Sequence, residues 1–187
     1  MMKRTITEEQ LRNIIRESLF NYFNGKGRYA NGEEELAFAD GGGFVDLGLP
    51  SGTKWANCNV GALNPEEVGD ALDWEDAMES GELPSVKQFQ ELFNVCDFKW
   101  TMIGNRRGFY FIGPNGNSIF LPCTGAYQGN IYLGAETTGC YWTKDEDKRF
   151  QRGRDYTNAC YAIFLQKTFK SMTGKKNYEQ SARLVSR

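Results

Sequence analysis

The twelve residues from Val45 to Ala56 constrain the fold more than any other run in the chain. Val45, Leu47 and Leu49 would share one face of an extended segment, because strand side chains alternate between faces with a period of two. A Pro-Ser-Gly turn over 50–52 then reverses the chain. Trp55 follows in a second extended segment, so the run predicts two short strands that meet at a turn.

The rest of the chain also favours short strands joined by turns. Its 187 residues include 21 glycines and 14% aromatic residues, and helical periodicity is scarce after the first quarter. A chain of this length can form one domain with an appended terminal element, because domains near 150 residues bury about two thirds of their unfolded surface.

The N-terminal quarter has a different pattern from the rest. Apolar residues recur at helical spacing over 5–24, and Thr7 with Gln10 forms a predicted capping box. The apolar stripe of such a helix needs a partner, because an isolated helix of this length is only marginally stable in water. That partner would be the domain itself, another copy of the chain or a larger assembly.

We therefore divide the chain into an amphipathic helix over 1–24, a Gly-rich and polar linker over 25–44, and a domain over 45–187. Within the domain, Ser85 is a predicted N-cap for a helix that ends near Val95. A short helical or irregular passage is predicted over 65–78. Further strands are predicted over 98–103, 108–113, 117–122, 139–143, 159–165 and 181–185.

The chain closely resembles one family from Val45 to Val185. After the opening run come Asn59-Val60-Gly61-Ala62, Pro65-Glu66-Glu67, Gly69-Asp70, Asp73-Trp74-Glu75, Leu83-Pro84-Ser85, Phe89-Gln90-Glu91-Leu92, Gly116-Asn117-Ser118-Ile119-Phe120-Leu121-Pro122, Gly139-Cys140-Tyr141-Trp142-Thr143 and Ser181-Ala182-Arg183-Leu184-Val185. Their order and spacing resemble the C-type-lectin-like domains common in bacteria and bacteriophages, which are related in fold to formylglycine-generating enzymes. The resemblance implies an α+β, C-type-lectin-like fold with short antiparallel strands and one or two helices.

The absence of histidine excludes several kinds of chemistry. Without it the chain has no Ser-His-Asp or Cys-His catalysis and lacks the commonest transition-metal ligand. The five cysteines are far apart and contain no C-x-x-C pair, so neither a zinc site nor a redox motif is predicted. Cys140 and Cys160 do not match the closely spaced pair of the formylglycine-generating enzymes, and we expect mostly buried, reduced thiols.

Acidic groups near Asp73 and near Asp145 could supply oxygen ligands to calcium. The motifs of the calcium-dependent sugar-binding lectins are missing, however, and solvated acidic turns are the favoured interpretation. We predict no cofactor and no metal.

The four tryptophans could stack on a ligand, but in this family they are mostly core residues. Arg183 is similarly predicted to brace the last strand.

Charge is distributed unevenly. From Lys144 onward there are eleven basic and five acidic residues, a net charge of +6, whereas the remainder carries −8. A basic end can favour anionic surfaces, although solvated loop charges explain the pattern equally well. No dense Lys/Arg block predicts nucleic-acid binding.

No segment has the pattern of a signal peptide or a membrane span, so we expect synthesis in a reducing cytoplasm, with carriage in a virion as an open alternative.

The polar tract over 143–180 is where the resemblance implies function. In the variable proteins of diversity-generating retroelements, a reverse transcriptase rewrites this end of the gene at adenines. Codons of the AAC or AAT type can then encode Asn, Tyr, Ser, Arg, Phe and several others, but not Lys, Gln, Glu, Met or Trp. The residues of the permitted set, which the resemblance implies as ligand contacts, are Phe150, Arg152, Arg154, Asp155, Tyr156, Asn158, Tyr161, Phe169, Ser171, Asn177 and Tyr178. Glu179 departs from the glycine usual in the family.

These observations predict a non-catalytic ligand-binding protein whose C-terminal face, about 145–178, is sequence-diversified and recognises a protein or glycan on a cell surface. Tyr, Asn, Ser and Arg suit such a surface, because they combine large contacts with adaptable hydrogen bonds. An undiversified C-type-lectin-like module with a fixed protein or glycan ligand is the first alternative, and a formylglycine-type enzyme is the second. The N-terminal helix is a candidate for assembly contacts.

Overall fold

The computed structural model describes residues 43–134, 136–147, 158–165 and 168–187. The predicted N-terminal helix and nearly all of the predicted linker lie outside these ranges. The described part is a mixed fold of short antiparallel strands and two helices, which agrees with the predicted α+β class. Its elements are β1 (Phe44–Asp46), β2 (Lys54–Ala56), α1 (Trp74–Glu79), α2 (Val86–Val95), β3 (Asp97–Ile103), β4 (Arg106–Ile112), β5 (Ser118–Pro122), β6 (Ala126–Gln128), β7 (Ile131–Leu133), β8 (Gly139–Asp147), β9 (Asn158–Leu165), β10 (Thr168–Lys175) and β11 (Val185–Ser186).

The opening run folds as its pattern predicts. Strands β1 and β2 pair antiparallel, with Val45 opposite Trp55. Leu47 and Leu49 are buried in the same core as Trp55. The turn closes where the Gly52 N–H donates to the Leu49 carbonyl at 2.9 Å, and Gly52 has a φ of +70°, which favours glycine. Strand β2 also pairs with β11, so β2 lies between the first and last described strands in one sheet.

The predicted helix after Ser85 is confirmed as α2. The Ser85 hydroxyl accepts from the Gln88 N–H and the Gln88 side chain accepts from the Ser85 N–H, which completes a capping box. Phe89 and Leu92 are buried on its inner face. The irregular passage before it contains one short helix, α1, whose N-cap is Asp73.

Two further sheets lie between α2 and the end of the chain. Strands β3, β4 and β5 form an antiparallel meander that matches the three strands predicted there to within two residues at each end. Strands β8, β9 and β10 form the second sheet, with β9 in the centre. Strand β10 was not predicted, and neither was the two-stranded ribbon of β6 and β7. The strand predicted over 181–185 is shorter, since β11 begins at Val185.

Buried side chains form two cores. The larger core surrounds Phe89 and takes side chains from β2, α2, β4, β5, β8 and β9. The smaller core contains Trp74, Trp142 and Ala159, on the opposite face of the β8–β9–β10 sheet. Trp55 and Trp142 have no exposed surface, Trp74 is 7% exposed and Trp100 packs against the larger core. The prediction that the tryptophans are core residues is confirmed.

Arg183 braces the end of the chain from inside the protein. Its side chain is fully buried and donates to the Asn59 side-chain oxygen at 2.8 Å and to the carbonyls of Ala56 and Phe120 at 2.9 Å each. Burial lowers the pKa of this guanidinium from its ordinary value. The prediction of a bracing role is confirmed, and the three partners come from two separate segments of the domain, 56–59 and β5.

Candidate ligand-binding surface

Six of the predicted contact residues lie within the described ranges, on or just after β9 and β10. They are Asn158, Tyr161, Phe169, Ser171, Asn177 and Tyr178. The other five, Phe150, Arg152, Arg154, Asp155 and Tyr156, lie outside the described residues.

The register of the sheet divides these residues between its two faces. Strand β9 pairs with β10 so that Phe169 is opposite Phe164 and Ser171 is opposite Ala162. Directly opposite residues in an antiparallel pair point to the same side of the sheet. Phe169 and Ser171 therefore lie on the face of the larger core, together with Asn158. Tyr161 lies on the other face.

Phe169 is half-buried against the larger core, as Tyr161 and Tyr178 are against the smaller core. Its ring centroid lies 5.0 Å from that of Phe93 and 6.0 Å from that of Phe164, and it packs against the larger core. The register with Phe164 directs the ring inward. Because Phe169 lies on the opposite face of the sheet from Tyr161, we do not include it in the candidate surface, and its role as a ligand contact stays a prediction. Ser171 shares its face but is exposed.

Tyr161 and Tyr178 come together above Gly174. A Cβ atom at Gly174 would lie 3.1 Å from Cδ2 of Tyr178 and 3.2 Å from Cε1 of Tyr161. The missing side chain therefore leaves room for both rings over β10. Met172 completes the group, because its sulfur lies 3.9 Å from the Tyr161 hydroxyl and its side chain is 45% exposed. We call Tyr161, Met172 and Tyr178 the tyrosine patch.

Met172 was absent from the predicted contacts because methionine is outside the codon set on which that prediction depends. Its place in the patch follows from register, since it is opposite Tyr161 in the β9–β10 pair. Asn177 is exposed in the turn between β10 and Tyr178, and Asn158 is half-buried at the start of β9.

Buried tryptophans support the patch from below. The Trp142 ring meets Tyr161 edge to face, with a centroid distance of 6.0 Å, and its indole N–H donates to the Leu72 carbonyl at 2.8 Å. The Trp74 indole donates to the Thr143 carbonyl at 2.8 Å. These bonds fix both indoles, so Tyr161 rests on a rigid base.

The positively charged side chain of Lys176 lies beside the buried tryptophans. The Lys176 ammonium lies 3.8 Å from the centroid of the Trp74 ring and bonds the Glu146 carboxylate at 3.0 Å. Lys176 is thus already paired, and the tyrosine patch is an amphipathic surface rather than a strongly charged one.

The two predicted acidic groups have structural partners. Asp73 caps α1 by accepting from the Asp76 N–H, and Asp145 accepts from the Val86 N–H at 2.6 Å, at the start of α2. A carboxylate is favourable there because of the unpaired N–H groups and positive dipole end of a helix. Within the described ranges, no three Cys, Asp or Glu side chains come together as metal ligands.

The environments of three of the five cysteines disfavour reaction of their thiols. The structure describes all five, and none forms a disulfide. Cys140 is opposite Ile163 in the β8–β9 pair, so it faces away from Cys160. Burial raises the pKa of Cys96 to about 11 and the pKa of Cys123 and Cys140 to about 12, so these thiols stay protonated at neutral pH.

We therefore expect only the half-buried thiols of Cys58 and Cys160 to react when the native protein is treated with Ellman's reagent at pH 8. Cys96, Cys123 and Cys140 should react only after unfolding in urea, because they are inaccessible and their raised pKa lowers the thiolate fraction. A Cys58→Ser, Cys160→Ser variant is the control and should show no fast phase. A third fast-reacting thiol in the native parent protein would contradict this assignment.

The arrangement suits reversible contact with a ligand: two aromatic hydroxyl-bearing rings and a thioether lie on a sheet fixed by cores on both sides. Among the described residues, no helix is both long and apolar enough to cross a membrane. Comparison of the chain with protein-family models, with curated proteins and with solved structures found no match.

Proposed function

We propose that this protein is a non-catalytic, ligand-binding C-type-lectin-like domain whose C-terminal face is diversified by a retroelement. The ligand is a protein or glycan on a cell surface, and in a bacteriophage it would be a host surface molecule. Binding is reversible recognition: framework residues fix the backbone, and side chains of about 145–178 set the specificity.

The tyrosine patch is the observation that carries this proposal. Two of the residues predicted as contacts, Tyr161 and Tyr178, are neighbours in space although 16 residues intervene between them. Tyrosine gives a large amphipathic contact at low entropic cost, because it has few rotatable bonds. The patch lies on an antiparallel hairpin between two cores, so its backbone is fixed before a ligand arrives.

Several motif residues are buried, and several residues of the C-terminal tract are exposed. This separation supports the proposal that the domain is C-type-lectin-like. Residues that carry the resemblance, such as Leu47, Trp55, Trp142 and Arg183, are fully buried. Ser171 and Asn177, which belong to the permitted set, are exposed between the motifs that begin at Gly139 and at Ser181. A domain that changes its specificity by substitution needs this separation, because changes at buried positions would cost stability.

DNA sequence around the gene tests the diversification directly. We expect a reverse transcriptase gene nearby and a second copy of the codons for roughly 142–183 that differs from the first only at template adenines. Absence of such a repeat in the complete genome would reject diversification and favour an undiversified module with a fixed ligand. Loss of an enzymatic activity on substitution of Cys140 or Cys160 would instead revive the formylglycine-type enzyme.

Diversification also requires tolerance of new side chains at the surface positions. We expect Ser171→Tyr and Asn177→Tyr each to change the free energy of unfolding by no more than about 0.5 kcal/mol, because both sites are exposed. The matched control is Ala162→Tyr at the buried position opposite Ser171, which should prevent stable folding through overpacking. Urea denaturation measures all three. A loss above about 2 kcal/mol at either exposed site would contradict a variable role for it.

A further inference from the structure

A second cluster of aromatic and polar side chains lies on the β6–β7 ribbon, away from the predicted contact residues. Tyr127 and Glu179 exchange two backbone hydrogen bonds, of 2.8 and 3.0 Å. Tyr127 is in turn directly opposite Tyr132. Because opposite residues in antiparallel pairs share a face, Glu179, Tyr127 and Tyr132 form a row on one side of this small sheet.

The two tyrosines in the row are held in a fixed stack. Their ring centroids lie 4.5 Å apart with an interplanar angle of 15°, and the Tyr132 hydroxyl donates to the Thr124 carbonyl at 2.7 Å. Tyr132 therefore covers one face of the Tyr127 ring. The other face of Tyr127 is directed toward Glu179, and Tyr127 is 38% exposed.

A cavity of about 150 Å³ opens beside this row, lined by Tyr127, Tyr132, Glu179, Gln180 and Gly69 among others. Gly69 is required in the wall, because it has a φ of +71° and a Cβ there would lie 2.1 Å from the Val60 carbonyl oxygen. An enclosed cavity of similar size in another protein holds a molecule of benzene, so this one has room for a ligand group of about six heavy atoms.

Glu179 is the exposed, acidic group of the wall, and Gln180 is buried behind it. The Glu179 carboxylate has no hydrogen-bond or ion-pair partner among the described residues, and the buried Gln180 side-chain oxygen likewise has none there. Among the described residues, no lysine or arginine lines the cavity. The Gln180 oxygen has no accessible surface for a ligand, but a carboxylate without a partner attracts positive charge.

We infer that this cavity binds the ammonium group of a small primary amine, held between the Glu179 carboxylate and the open face of Tyr127. The ammonium supplies N–H donors to the carboxylate, and its charge is attracted by the ring face. A short alkyl chain fits the apolar part of the wall. Glu179 and Gln180 are outside the predicted diversified set, so this inference does not rest on the proposed function.

Titration of the isotope-labelled protein with n-butylammonium and with n-butanol, followed by the amide NMR signals of Gly69, Gly125 and Gln180, tests the inference. The two probes have similar shape but only the first carries charge at pH 7. We expect n-butylammonium to bind at least about tenfold more tightly than n-butanol. Glu179→Gln should weaken amine binding about tenfold, and Tyr127→Leu should weaken it about threefold, while neither changes the weak binding of n-butanol.

The control is Glu79→Gln, which removes an exposed carboxylate at the end of α1 and should leave amine binding unchanged. Thermal denaturation of each variant establishes that the fold is retained. Equal binding of the two probes, or full amine binding by a folded Glu179→Gln variant, would overturn the inference.

Discussion

Replacement of Arg183 by methionine is expected to lower the free energy of unfolding by about 3–5 kcal/mol. The substitution keeps an unbranched side chain but removes three hydrogen bonds, to the Asn59 side chain and to the carbonyls of Ala56 and Phe120. Each acceptor is left in a fully buried site, where an unsatisfied polar group costs about 1–3 kcal/mol.

A second effect acts in the opposite direction. Burial of a guanidinium has a desolvation cost, which also lowers the pKa of Arg183, and methionine would relieve it. We expect the loss of bonding to exceed this relief, because the planar guanidinium bonds three buried acceptors on two segments of the chain at once. Arg183→Lys should also destabilise the protein, since a lysine cannot reproduce the three-way geometry.

Urea denaturation followed by tryptophan fluorescence measures the change in the free energy of unfolding. Arg187→Met is the matched control, because Arg187 is exposed and four residues further on, and its change should stay within about 0.5 kcal/mol. If Arg183→Met stays within about 1 kcal/mol of the parent protein, the bracing role is wrong and the relief of desolvation dominates.

The parts of the fold that could be predicted from sequence are those whose signals are local. The helix α2 has both an apolar face and a cap at Ser85, and the two signals agree. Likewise the strands around 98–122 have turn residues between them. The strand β10 has no such signal: its apolar residues Phe169 and Met172 are three apart, which fits neither side of a strand. It is extended because it pairs with β9 along its whole length.

Pairing between strands, which has no local signal in the sequence, also decides which side chains form the candidate surface. Residue type selects Tyr161 and Tyr178 as predicted contacts, but the face on which each side chain lies depends on register. The β8–β9 register shifts between Trp142 and Glu146, and no local pattern reveals such a shift. Pairing with β9 directs Phe169 toward the larger core and places Met172 beside Tyr161.

Phe164→Ala is expected to be as destabilising as the change at Arg183, with a loss of about 3–5 kcal/mol. Phe164 is fully buried, and its ring centroid lies 5.0 to 6.0 Å from those of five aromatic neighbours: Phe89, Phe93, Phe109, Tyr141 and Phe169. Removal of the ring leaves a cavity that these rigid side chains cannot fill, because each is held by other contacts.

The neighbouring residue gives a control on the same strand. Leu165 is 42% exposed and points to the opposite face of the sheet, so Leu165→Ala should cost no more than about 1 kcal/mol. Comparison of the two variants by urea denaturation therefore tests the register of β9 itself. If the register were displaced by one residue, the larger loss would belong to Leu165, and the tyrosine patch would be wrongly placed, because Tyr161 would then point into the larger core.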